Sequence, residues 1–407
     1  MGVGQAVVAR RLGLVARVPS FRLLFLATLG SGFGTWLAFV GLAIDVKDRT
    51  NSGPWVSALL IADVLPAVVI GLLAGPLVDR LSRKGLMIGA DLLRAAIFVL
   101  LPFAGSATAI IALAALAGVG TGLFRPAVYA GLPNLVEDDD LPRANGLIQG
   151  VENFAWAVGP LLGGLLVAAS GPDLAYWVNA GTFLASALLL SGIPGRLLQA
   201  GTAESHGHWR DLLEGFAFVV SSRALVTVLV VWNVFMLASA GINVAEVFLA
   251  KDVFDAGDFG FGLLVGATGL GLVLGSVGAG SLLDRHPVAR VYPGSIFIVA
   301  LAVAAGAVAP NVWIAAGCVL VVGAANGVAV VCNALLVQRG SPDSLRGRVF
   351  TVLMSSSFGV LALGMVLAGP LTDAIGPRWV WGAAAALAAL SAMLALLMTR
   401  RAQPYAT

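Results

Sequence analysis

The sequence predicts an all-α membrane protein: twelve transmembrane helices in two pseudo-symmetric six-helix bundles. Three observations lead there. Of the 407 residues, 59% are hydrophobic and only 11% charged, whereas a soluble domain carries about 25% charge; so few charges cannot cover a soluble surface. Apolar runs of membrane-crossing length come as a group of six, a polar break and a second group of six. A charged hairpin between the second and third runs returns 205 positions later.

Taken in order, the first six runs cover residues 22–45, 55–77, 86–103, 108–131, 145–169 and 174–193. The second six cover 225–249, 260–283, 292–309, 312–338, 347–372 and 377–399. The expected division is therefore an N-terminal bundle over 1–193, a cytoplasmic linker over 194–224 and a C-terminal bundle over 225–407. Residues 1–20 show neither an apolar core nor a small-residue cleavage site, so no removed signal peptide is expected. Orientation follows from the basic residues of the short loops. With the N-terminus inside, 18 of the 24 lie on the cytoplasmic side and four on the other: Lys47, Arg49, Lys251 and Arg378. Arg94 and Arg125 fall within spans. Both termini are thus placed in the cytoplasm; the scarcity of lysine against arginine points to a high-GC bacterial source, and the expected location is a bacterial inner membrane.

The linker contains His206 and His208, without a Cys or third His nearby to complete a zinc site. Its later part sets Trp209, Leu212, Leu213 and Phe216 on one face, the pattern of an interfacial amphipathic helix. Cys318 and Cys332 share one apolar run; 14 residues of helix hold them about 21 Å apart, beyond disulfide reach.

The hairpin reads Gly75-Pro-Leu-Val-Asp79-Arg80-Leu-Ser-Arg83-Lys84, and its weaker copy runs from Gly280 through Asp284 to Arg290. The same offset aligns Gly118 with Gly323 and Gly122 with Gly327, as expected for a duplicated six-span unit with its site near the midplane. Asp79 can accept from N–H groups at a helix N-terminus, a contact of about 0.3–1 kcal/mol. Arg80, Arg83 and Lys84 can reach carboxylates or anionic head groups. Asp91 and Arg94 form a second cluster one to two turns deeper. In the fifth run Gly146, Gly159, Gly163 and Gly164 allow close backbone approach, and Pro160 bends the helix.

Ionisable residues inside spans are functional candidates, because an unpaired one costs a few kcal/mol there. Asp63, Glu152 and Glu246 are the proton-coupling candidates. Arg125 sits about six residues before the cytoplasmic end of span four and Glu152 about eight into span five from the same side. At about 1.5 Å per residue their depths agree within ~3 Å, so the two should pair. Polar-aromatic faces mark a cavity for a largely apolar ligand. They comprise Trp232, Met236, Ser239, Asn243 and Glu246 in span seven; Gln149, Glu152, Asn153 and Trp156 in span five; Thr121, Arg125 and Tyr129 in span four; and Asn326 and Asn333 in span ten.

The hairpin Gly75-x-Leu77-x-Asp79-Arg80-x-x-Arg83-Lys84 resembles the loop 2–3 signature of the major facilitator superfamily. Gly146, Ala155, Gly159-Pro160 and Gly163-Gly164 resemble the span-five signature of its drug:proton antiporters, with Ala155 in place of a glycine. Phe124-Arg-Pro126-Ala127 through Leu132-Pro133, then Leu141-Pro-x-Ala144-Asn145, is similar to the macrolide-efflux and enterobactin-exporter branch. The resemblance implies the major facilitator fold, alternating access and proton-driven export. It also implies that Gly75, Asp79, Arg80, Arg83, Lys84, Asp91 and Arg94 work as an inner latch. The chain departs from the family twice. Residues 108–116 lack the arginine usual early in span four, and Gly34-Thr35 stands where relatives carry an acid in span one.

Other classes find little support. A nucleotide-binding Walker loop needs Gly-Lys, but the three lysines follow Val46, Arg83 and Ala250. All three histidines lie in cytoplasmic loops, so neither an enzyme's base nor a metal site is at hand. The expected protein is a monomeric, proton-coupled exporter of hydrophobic or amphipathic small molecules, working in the lipid bilayer without cofactor, metal or nucleic acid. A dedicated siderophore or lysophospholipid carrier of the same superfamily is the alternative, with a non-transporting receptor behind it.

Overall fold

The computed structural model describes residues 13–73, 81–198 and 208–401. Thirteen long helices follow one another: α1 (Pro19–Thr50), α2 (Gly53–Leu73), α3 (Arg83–Leu100), α4 (Ala107–Gly131), α5 (Leu141–Ser170), α6 (Pro172–Ser191), α7 (His208–Ser221), α8 (Arg223–Phe248), α9 (Gly257–Leu283), α10 (Val288–Ala307), α11 (Val312–Gly340), α12 (Asp343–Ile375) and α13 (Pro377–Arg401). All but α7 are long and apolar enough to cross a membrane, twelve in total among the described residues. With no water in the hydrocarbon to take unpaired backbone groups, helices that satisfy their own N–H and C=O groups are what such apolar runs form. The 32 residues of α1 reach about 48 Å. That exceeds a ~30 Å hydrocarbon core, so its last two turns, with Lys47, Asp48 and Arg49, emerge into the interface.

Local signals stop and start these helices, and they recur at the offset of the sequence repeat. Ser106 caps α4 by accepting from the Ala109 N–H, and Asn311, 205 positions on, caps α11 by accepting from the Ile314 N–H. Gly171 (φ 76°) and Gly376 (φ 85°), again 205 apart, take the left-handed turn that a side chain resists. Each is followed by a proline, Pro172 or Pro377, which opens the next helix with its φ already set.

The chain folds as two compact units. The first holds the described residues through Leu42 and from Ala62 to 198; the second holds Ala43–Ile61 and the described residues from 208 onward. In the first, α4 lies against α2 without side chains between: a Cβ at Gly118 or Gly122 would stand 2.7 Å from the carbonyl oxygen of Asp63 or Ala67. The second repeats this, α11 on α9, with Gly323 over Thr268 and Gly327 over Leu272. Asp63 to Thr268 and Ala67 to Leu272 are each 205 positions, so the repeat predicted from glycines extends to what the glycines touch. An apolar core around Phe21, Met87, Phe124 and Ile148 fills one end of the first unit.

In the second unit α7 packs on α8 and α12 through Val219, Leu225, Val228, Val349 and Leu353. Gly215 seats on the backbone of Arg348, and the Arg348 guanidinium pairs with Glu214. Phe216 and Val220 stay exposed, the face an interfacial helix gives to lipid. The side chains of Trp209, Leu212 and Leu213 lie outside the described set, as does His206. The end of α1 and the start of α2, Ala43–Ile61, also belong to this unit. There Lys47 pairs with Asp252, Lys251 donates to Asp48 (2.7 Å) and Asp258 (2.5 Å), and the Gly53 N–H donates to Asp373 (2.7 Å).

Candidate functional site

In the first unit Arg125 and Glu152 meet as their depths predict: Arg125 Nη2 donates to Glu152 Oε2 at 2.9 Å. Tyr129, one turn beyond Arg125 on α4, donates its hydroxyl to the same oxygen at 3.1 Å. The Arg125 side chain is 59% exposed and that of Glu152 21%. An arginine so open inside a membrane span must face water rather than lipid. The pair is thus an open cation held by a more enclosed carboxylate.

Beside it stands an aromatic wall. Trp156, one turn after Glu152 on α5, lies 5.8 Å from Trp36 of α1 between ring centroids, and Trp36 lies 5.5 Å edge-on to Phe39. Phe33 and Phe154 make a further edge contact at 5.5 Å. The glycines of the span-five motif set this wall in place. A Cβ at Gly159 would come within 2.7 Å of Trp36 Cβ, and one at Gly163 within 2.5 Å of the Leu37 carbonyl oxygen. Ala155, the departure from the motif, faces Gly32 of α1, so the small residue has changed sides of the contact. Gly164 is buried, and Pro160 sits inside an unbroken α5. Gly146 faces open space and makes no such contact. Asn153 is half-buried beside the pair.

The departure at Gly34 also has a physical reason. A side chain there would land 2.1 Å from Thr182 Oγ1 and 2.3 Å from Asn179 Oδ1 on α6, which already occupy that space.

Asp91 and Arg94 form the deeper cluster that their spacing predicts. Both are buried in the first unit and paired with each other. The Arg94 guanidinium carbon lies 4.6 Å from the ring centroid of Phe124 and 4.3 Å from that of Phe183, and Gly120 leaves room for its stem. Two rings and a carboxylate surround the cation, while Arg94 Nε and Asp91 Oδ2 keep no hydrogen-bond partner among the described residues. Among the described residues, Arg83 and Lys84 donate to backbone carbonyls. Arg83 donates to the carbonyls of Ala130 (2.8 Å) and Leu198 (3.3 Å), and Lys84 to those of Ser191 (2.6 Å) and Ile193 (2.7 Å). Ala130 and Ser191 close α4 and α6, so the two cations complement helix C-termini whose last carbonyls have no N–H of their own. Gly75, Asp79 and Arg80 lie outside the described residues. Asp63 is half-buried on α2.

In the second unit the face of α8 divides. Trp232, Met236 and Ser239 are half-buried and Asn243 is exposed, but Glu246 turns inward to 5% exposure. Its Oε1 has no hydrogen-bond partner among the described residues. Trp232 stacks on Phe235 at 5.0 Å, and Asn233 donates to Ser356 of α12 at 2.7 Å. Asn326 and Asn333, both half-buried on α11, each keep an unpartnered Oδ1 among the described residues. Such amide oxygens await donors that the helices do not supply. No group of three or more His, Cys, Asp or Glu side chains is placed to share a metal ion among the described residues.

Sequence reasoning missed Trp36, Phe33 and Phe39, whose spacing of three along α1 is a detectable aromatic face. It also missed the pairing of the charges that end α1 with those that follow α8, which a count of loop charges treats only as orientation.

Residues 15–404 match the family described as transmembrane secretion effector. The chain is 29% identical over 390 residues to the multidrug efflux pump Tap of Mycolicibacterium fortuitum, covering 88% of this chain and 90% of that one. It is 25% identical over 357 residues to macrolide efflux protein A of Streptococcus pyogenes, covering 81% and 84%. Its fold is similar to that of the nucleoside transporter NupG, with a TM-score of 0.75 at 15% identity over 93% of this chain and 98% of the other.

Proposed function

The chain belongs to the transmembrane secretion effector family of the major facilitator superfamily, and on that premise we propose that it exports hydrophobic or amphipathic small molecules by alternating access, in exchange for protons. It is a multi-pass protein of the bacterial inner membrane. The proposal further places both termini in the cytoplasm, takes the monomer as the working unit and treats residues 194–224 as the connection between two six-helix bundles.

The observation that carries the reading is the joining of Arg125, Tyr129 and Glu152 to the Trp36–Trp156 wall. Flat aromatic surface takes up an apolar body without requiring one shape, and a half-open ion pair serves a polar or charged head. Glu152 has two states in this scheme. Ionised, it holds Arg125 and Tyr129 and attracts a cationic head group; protonated, it releases both donors and the cargo. Multidrug and macrolide efflux by the relatives supports a broad, largely apolar cargo. Glu246, buried without a hydrogen-bond partner for Oε1 among the described residues, is the second proton candidate and Asp63 the third.

The test is transport by the purified protein in liposomes under an imposed pH gradient, with a panel of dyes, antibiotics, siderophores and lysolipids. Movement of several apolar cations, abolished by collapsing the gradient, is expected. Flux indifferent to the gradient removes proton exchange, and flux of a siderophore or lysolipid alone replaces the drug reading by the dedicated carrier.

A further inference from the structure

The Asp91–Arg94 pair takes no part in the candidate site, and the second unit is built without its counterpart. At the repeat offset of 205, Asp91 and Arg94 become Ile296 and Val299, while the rings of Phe124 and Phe183 become Ala329 and Ala388. All four replacements are fully buried. A buried ion pair seldom adds stability over packed apolar residues of similar size, since desolvating two charges offsets their attraction. Here the balance is poorer still, because Arg94 Nε and Asp91 Oδ2 lack partners among the described residues. Stability is thus a poor reason for these charges.

A second difference between the repeats falls at the same place. α4 carries Gly120, Gly122 and Pro126 within two turns, where α11 has Ala325, Gly327 and Val331. Pro126 has no N–H to give the Gly122 carbonyl, and its ring crowds that carbonyl, so α4 is weak in this stretch. Arg94 braces it. A Cβ at Gly120 would stand 2.8 Å from Arg94 Cγ, and one turn along α4 the guanidinium carbon lies 4.6 Å from the Phe124 ring centroid. Phe183 of α6 backs the guanidinium at 4.3 Å, and Asp91, one turn back on α3, accepts a hydrogen bond from it. A planar cation between two rings is a task for arginine, which stacks as lysine and aliphatic residues do not.

We propose that Asp91 and Arg94 are positioning residues: they fix the rotation of α4 at its proline and so hold Arg125 and Tyr129 on Glu152. The braced ring and the paired cation are chain neighbours, Phe124 and Arg125, so α4 cannot turn at one without turning at the other. At the ~5–6 Å radius of helical side chains, a turn of about 20° carries a head group ~2 Å, enough to part the 2.9 Å bond to Glu152. In the second unit Val330 stands at the place of Arg125; there is no such bond to keep, and the brace is missing too. Only the importance given to the Arg125–Glu152 site rests on the exporter reading; the bracing of α4 does not.

The test gives the first unit the residues of the second. Asp91→Ile with Arg94→Val is purified in detergent with 3-fluorotyrosine in place of tyrosine, and fluorine NMR reads Tyr129, one of only four tyrosines. Tyr129→Phe identifies its signal, and Tyr292 of the second unit serves as the unmoved reference. Glu152→Gln marks the position of a Tyr129 that has lost its carboxylate. The double variant should melt at or above the parent temperature, yet its Tyr129 signal should move toward the Glu152→Gln position. Phe124→Leu, which keeps the ion pair and removes the ring, should move it the same way. Ethidium binding should weaken roughly tenfold in both, a factor equal to ~1.4 kcal/mol. A Tyr129 signal at the parent position in the double variant or in Phe124→Leu overturns the proposal. So does a signal that moves only where the melting temperature falls, or a double variant that does not fold, since either makes the pair a structural staple. The NMR result needs no ligand: it upholds the bracing even if the parent binds no ethidium, an outcome that counts against the exporter reading alone.

Discussion

Gly163 and Gly146 belong to one sequence motif, yet their surroundings predict opposite outcomes for the same substitution. A methyl at Gly163 would stand 2.5 Å from the carbonyl oxygen of Leu37 and 3.0 Å from its Cα. Both are backbone atoms and cannot rotate away. Non-bonded contact settles near 3.5–4.0 Å, so α1 must retreat from α5 by about 1 Å. Forcing a close-packed contact apart in this way costs about 1–3 kcal/mol. For a unit of this size that is about 2–4 °C of melting temperature per kcal/mol. The retreat also draws Trp36 off Trp156, so apparent affinity for an aromatic dye should fall along with stability. At Gly146 nothing lies within 4 Å of the added methyl. Alanine is the better helix former by about 0.5–1 kcal/mol, so Gly146→Ala should melt at or slightly above the parent temperature. Thermal unfolding of the detergent-purified protein, followed by tryptophan fluorescence, compares the two directly. If both variants melt alike, the assignment of the motif to an α1–α5 backbone contact is wrong.

Three more expectations concern the charges. Glu152→Gln should reduce gradient-driven export roughly tenfold, about the ~1.5 kcal/mol of a charge-assisted hydrogen bond, while downhill exchange persists; equal loss of both would assign Glu152 to structure alone. Asp91→Ala leaves Arg94 uncompensated in the first unit and should cost about 3–5 kcal/mol of stability, read as a large drop in melting temperature or folded yield; a parent-like melt would show that Phe124 and Phe183 suffice to hold the cation. Arg83→Ala should cost about 0.3–1 kcal/mol through the lost helix-end contact, a small change in the melt; a parent-like melt with transport abolished would return this arginine to the role of an inner latch.

The spans were legible because each had to bury about twenty residues in hydrocarbon, which leaves a long apolar signature. Their ends were less so. The first run was expected over 22–45, whereas α1 continues to Thr50, because a helix needs no apolar residues once it has left the hydrocarbon. The Arg125–Glu152 pair could be foreseen because both residues are counted inward from the same membrane face across a short connection, which fixes their relative depth. The fate of Arg94 could not. Its partners Phe124 and Phe183 come from two other helices, and whether a span-three arginine turns in or out depends on the room left by Gly120. The pairs between the end of α1 and the chain after α8 were illegible for a simpler reason: Lys47 and Asp252 stand 205 residues apart, and no local pattern couples them.

The cross-pairing of Lys47-Asp48 with Lys251-Asp252 has the form of a handshake between two copies of one peptide. In each copy the lysine takes the aspartate of the other, as in the self-complementary interface of a symmetric dimer. The flanking chain agrees: Asn51 (φ 46°) and Asp255 (φ 51°), placed 204 positions apart like the two dipeptides, adopt the same rare left-handed conformation. A six-span ancestor that paired with itself could close this contact with a single Lys-Asp sequence. After duplication and fusion the four positions became free to vary one by one, but only changes in charge-conserving couples keep the joint neutral. Members of the lineage should therefore carry Lys-Asp in both places, Asp-Lys in both, or Lys-Lys in one and Asp-Asp in the other, and seldom Lys-Asp in one with Asp-Lys in the other.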